Sequence, residues 1–263
     1  MWAIKHNFDM AEAAVMALRA GADVLLADDP AITYDALLHA IRTGDISLQR
    51  LDEAVLRVLE LKEWLGLHEQ RYVDVNAVSA VVGADEHREV AVNVARAGIT
   101  MLRNENDIVP LGADARIFAI APPSHRYTGE SPTRTLLSLL CNAFVRAETT
   151  EISENPTDDE ISQVRNRARA LQPDAIVFAT FARAEAYREE SSQIATEMVE
   201  LVRELSKLAP VIALSCGSPY ALMRFDDAGV WLCAYSDCDA SIQAVVEVLA
   251  GRLAPTGAVP VQL

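Results

Sequence analysis

The chain has 263 residues, of which 51% are apolar and 23% charged, enough to bury a sizeable core and to exclude a disordered or fibrous protein. No apolar run approaches the roughly 20 residues of a membrane helix, and Met1 is not followed by a basic stretch and an apolar signal core, so the expectation is a cytoplasmic protein with no membrane partner. With 38 acidic against 23 basic side chains the net charge is −15, which repels a phosphate backbone and argues against nucleic acid as a partner.

In chain order, Ala11, Ala14, Val15 and Leu18 recur at helical spacing and lead to Gly21, a residue type that ends helices. Ala22 to Ala27 (ADVLLA) is apolar, of strand length and stopped by Asp28-Asp29-Pro30, which predicts a strand. Leu37, Leu38 and Ile41 mark a helix from Tyr34 to Arg42, broken at Thr43-Gly44-Asp45. Ser47 then suits the N-cap of a helix whose stripe runs Leu51, Val55, Val58, Leu59 and Leu61 as far as Trp64, with Gly66 closing it. A helix–strand–helix–helix unit of this size cannot close a core around one strand. Residues 68–85 carry few helix signals and read as a linker between residues 1–67 and a second domain, 86–263. That domain opens with a helix from His87 to Ala97 and the short run Ile99 to Leu102. Strand patterns at 116–121, 147–152, 174–180, 210–215 and 230–235 then alternate with helix patterns at 133–145, 157–171, 191–208 and 240–249. Alternation of this kind predicts an open, mostly parallel sheet covered by helices on both faces, an α/β/α sandwich.

Particular residue sequences carry a resemblance. Met1 to Ile4 (MWAI), Glu12 to Ala14, Ala20 to Asp23 (AGAD), and Ile46 to Lys62, with its ISLQRLDEAV and RVLELK, resemble the end of the catalytic barrel of glycoside hydrolase family 3, particularly its β-N-acetylglucosaminidase branch. Ala97 to Asn104, then Gly217-Ser218-Pro219-Tyr220, Ala234-Tyr235-Ser236, and Leu249 to Gly251 with Pro255, Gly257 and Pro260 resemble that family's second domain. The resemblance implies that residues 1–67 are the last elements of a (β/α)8 barrel, followed by the sandwich. It implies retaining hydrolysis of terminal N-acetylglucosaminides, with no cofactor and no metal. The partner it implies is a glycan or cell-wall sugar, reached through the rest of the barrel.

In the family the aspartate nucleophile stands a few residues before the methionine matching Met1, and the branch's histidine–aspartate acid/base lies on an earlier barrel loop. Neither is carried onto this chain, which is expected to be silent alone; Met1, beside the sugar pocket of an intact barrel, is the one substrate-contact candidate. Other residues carry a functional reading beside a plainer one. Asp28-Asp29, at the exit of a barrel strand, could contact a sugar hydroxyl, but turn and N-cap chemistry is favoured. His6 reads as a surface or satisfied histidine. Ser215-Cys216-Gly217-Ser218 lacks the second glycine of a nucleophile elbow and the lysine of a phosphate loop, and reads as a tight strand exit. His125 to Gly129 follows the first sheet strand, where open sheets bind ligands, with an ordinary loop as the plainer reading. Glu130, Glu185 and Glu189 read as solvated charges, and Cys141, Cys216, Cys233 and Cys238 as reduced thiols, the strand-end pair packed. A rival reading is a non-catalytic α/β module that binds a ligand or partner subunit; a flavodoxin- or receiver-like switch is a weaker third. The stripes at Ala11 and Leu51 lack strands to face, which predicts self-association.

Overall fold

The computed structural model describes residues 2–124, 131–184 and 189–263. The chain divides into two compact units, residues 1–84 and 85–263.

The second unit holds the core. Six strands, β1 (Thr100–Asn104), β2 (Arg116–Ala121), β3 (Arg146–Glu151), β4 (Ala175–Thr180), β5 (Val211–Ser215) and β6 (Val230–Cys233), form one sheet in the order β1-β6-β5-β4-β2-β3. All neighbours are parallel except β1, which runs antiparallel to β6. All six residues of β4 are buried, as a central strand covered on both faces requires. One face packs Ile117, Val177 and Leu214 against Leu136 and Leu140 of a helix at Pro132–Ala143 and Ile242, Val245 and Leu249 of a helix at Asp239–Leu249. The other packs Phe118, Ile176 and Phe178 against Val164 and Ala168 of a helix at Asp158–Leu171 and Leu201, Val202 and Leu205 of a helix at Thr196–Leu205. A further helix, Asp85–Gly98, rests on the Asp239–Leu249 helix, and Arg96 grips Glu247 through two hydrogen bonds of 2.9 and 3.0 Å.

The result is the α/β/α sandwich that the alternation of patterns predicts, with β1 as an added antiparallel edge. Arg103 anchors that edge: its guanidinium lies 3.9 Å from the Trp231 ring centre and donates to the carbonyls of Asp226 and Ala228. At the opposite edge, β3 carries Arg146, Glu148 and Glu151, charges that discourage edge-to-edge pairing.

In the first unit, helices Trp2–Asn7, Met10–Arg19, Pro30–Thr43 and Leu48–Trp64 are followed by a single helical turn at Val78–Val81. They share a small core of Leu18, Ala40, Ile46 and Ala54. The strand expected at Ala22 to Ala27 does not form. The segment alternates in exposure, with Val24 and Leu26 outward and Leu25 and Ala27 half-buried, but among the described residues no strand pairs with it. Without a neighbouring chain there is no ladder to define a strand. The helix expected from Tyr34 begins instead at Pro30, because Asp29 caps it and proline suits a first helical position. The stretch expected as a plain linker contains the short turn of helix at Val78–Val81. No helix among the described residues is long and apolar enough to cross a membrane.

Three consequences are testable. Residues 85–263 alone should unfold in one cooperative denaturant transition; a gradual, non-cooperative loss of signal would contradict a closed core in this unit. Gly217→Ala should lose about 2 kcal/mol, because a Cβ there would collide with the Ala182 carbonyl oxygen; an unchanged denaturation midpoint would contradict that packing. Glu160 accepts from the Ser153 hydroxyl and from Thr157 in a capping box, and these bonds hold its carboxyl down at about 2. A depressed carboxylate stabilises the fold above its unfolded value and loses that contribution as pH falls towards 2. The carboxyl carbon of Glu160 should therefore titrate near 2 by NMR, and a midpoint in the ordinary range of about 4.3 would refute the cap.

Candidate functional site

In the first unit, chemistry-bearing groups gather at the two ends of the extended segment. At its start, Arg50 donates to the carbonyls of Leu18 (3.0 Å) and Ala22 (2.8 Å) and to Asp23 Oδ1 (2.9 Å). Arg57, seven residues on along the same helix, forks onto the Asp23 carboxylate at 2.7 and 3.1 Å. The Arg57 hydrogen bonds, with help from Arg50, hold the Asp23 carboxyl below its usual range. This clamp fastens the segment to the Met10–Arg19 and Leu48–Trp64 helices. The sequence reading missed it, although the spacing of Arg50 and Arg57 by two helical turns after an Ala-Gly-Ala-Asp run was a usable signal.

At the far end, Lys5 from the first helix pairs with Asp28, and its hydrogen bond holds the Asp28 carboxyl low. Asp29 is committed to the backbone: its Oδ1 accepts from the N–H groups of Ala31 (2.9 Å) and Ile32 (3.2 Å). The capping role expected for this pair therefore falls to Asp29, while Asp28 forms an ion pair with Lys5. His6 is exposed on the first helix. Met1 lies outside the described residues.

In the second unit, the order of strands reverses between β2 and β4, and the crevice beyond their carboxyl ends is where such sheets receive ligands. His125 to Gly129, Glu130 and Glu185 lie outside the described residues, as does the side chain of Glu189. Around that crevice the Thr133 hydroxyl donates to the Pro122 carbonyl (2.7 Å) and accepts from the Ser124 N–H (2.8 Å), tying the β2 exit to its helix. Arg183, after β4, pairs with Asp237, after β6, at 3.0 Å.

The Ser215 to Ser218 turn has no catalytic geometry. Ser215 Oγ donates to the Ser218 carbonyl (2.8 Å) and accepts from the Gly217 N–H (3.3 Å), so its hydrogen bonds serve the turn. Burial above all, with smaller contributions from Cys233, Asp237 and Cys238, pushes the Cys216 thiol up, opposite to the shift a nucleophilic thiolate needs. Cys233 is likewise raised by burial, to about 11. Among the described residues no cluster of histidine, cysteine or carboxylate side chains could hold a metal.

A helical unit with one extended segment is followed in the same chain by a doubly wound sheet. The chain belongs to glycosyl hydrolase family 3. The family's N-terminal domain profile matches residues 1–61 and its C-terminal domain profile residues 99–263. Among curated relatives, a beta-xylosidase of Formosa agariphila is 31% identical over 133 residues, which are 48% of this chain and 18% of that enzyme. The thermostable beta-glucosidase B of Acetivibrio thermocellus is 24% identical over 266 aligned residues, 92% of this chain and 34% of that enzyme. Among solved structures, a family 3 beta-N-acetylglucosaminidase from Paenibacillus sp. superposes with a TM-score of 0.73 at 22% identity, over 97% of this chain and 48% of that one. The chain thus spans at most about half the length of these proteins.

Two tests follow. Asp29→Ala should lower the stability of the first unit by about 1 kcal/mol while Asp29→Asn, which can still cap, should lose little; equal losses would contradict the capping role. In the native protein at pH 8 a thiol reagent should modify exposed Cys141 and Cys238 and spare Cys216 and Cys233 until unfolding. Native-state modification of Cys216 would contradict its burial.

Proposed function

We propose that this chain is the C-terminal portion of a retaining family 3 glycosidase that releases terminal N-acetylglucosamine from glycans or cell-wall fragments. The carrying observation is the order of the two family profiles, the N-terminal domain profile matching residues 1–61 and the C-terminal domain profile residues 99–263. The likeness to the Paenibacillus enzyme and the quoted barrel residues favour the N-acetylglucosaminide branch.

Retaining hydrolysis needs a nucleophile and a proton donor on opposite sides of the anomeric carbon, about 5 Å apart when both are carboxyls. On this reading both groups belong to barrel strands upstream of Met1, and the present residues supply structure. The Arg50–Asp23–Arg57 clamp fixes the start of the last barrel strand, and Lys5–Asp28 ties the helix after the nucleophile loop to that strand's exit, the end where barrel active sites lie. No cofactor enters the reaction.

A second reading, hydrolysis of β-glucosides or β-xylosides, is favoured by the names of the curated relatives. Chromogenic β-N-acetylglucosaminide, β-glucoside and β-xyloside separate the two. The 263-residue chain should release none of the three above the buffer rate. A polypeptide extended upstream through the rest of the barrel should turn over, with the highest kcat/KM for the N-acetylglucosaminide. Preference for the glucoside or xyloside would replace the first reading by the second. Hydrolysis by the 263-residue chain, abolished by replacing a carboxylate within it, would overturn the placement of the catalytic groups.

A further inference from the structure

We draw no further inference here: the strongest candidate, the crevice beyond the carboxyl ends of β2 and β4, offers the N-terminus of the Pro132–Ala143 helix and, among the described residues, no second feature that points to a ligand, since Thr133 is bonded to Ser124 and Arg183 is paired with Asp237.

Discussion

Ladder pairing of the backbone decides the character of both halves of this molecule. A peptide N–H or C=O in an extended segment must find a partner in a neighbouring strand or remain in water. In the second unit six strands satisfy one another, and the sheet so formed gives helices on both faces something to bury against. In the first unit, among the described residues, one extended segment has no strand partner, and the helices around it share a small cluster at Leu18, Ala40, Ile46 and Ala54.

The same contrast explains what the amino-acid sequence made legible. Within the sandwich, each parallel strand is a short apolar run between helical patterns, and Ile117, Ile176 and Ile212 fall where that pattern puts them. β1 escaped notice as a strand of the sheet because its partner, β6, is far away in the chain and a five-residue antiparallel edge leaves little periodic signal. Ala22 to Ala27 failed in the opposite sense. Its local pattern is that of a strand, but strands are made by partners, and pattern alone does not reveal whether partners are present. The start of the helix at Pro30 was hidden because capping by Asp29 depends on hydrogen bonds, while apolar periodicity becomes visible only at Leu37.

Site chemistry followed the same rule. The capping role of Asp29 and the inert packing of Cys216 were readable from residue type and neighbours. The Asp23 clamp was missed: it joins residues about thirty positions apart, and its one local signal is the two-turn spacing of Arg50 and Arg57. The clamp and the Lys5–Asp28 pair share a common logic: both fasten the extended segment, one at each end. At the exposed Lys5–Asp28 end such an ion pair holds position while contributing little to stability.

Hydrogen exchange followed peptide by peptide at low micromolar concentration tests the central contrast most directly, since protection reports the free energy of opening each segment. The account predicts that amides of β2, β4 and β5 exchange only through global unfolding of the sandwich, whereas those of the helices at Met10–Arg19, Pro30–Thr43 and Leu48–Trp64 exchange orders of magnitude faster. Equal protection in the two units would contradict it.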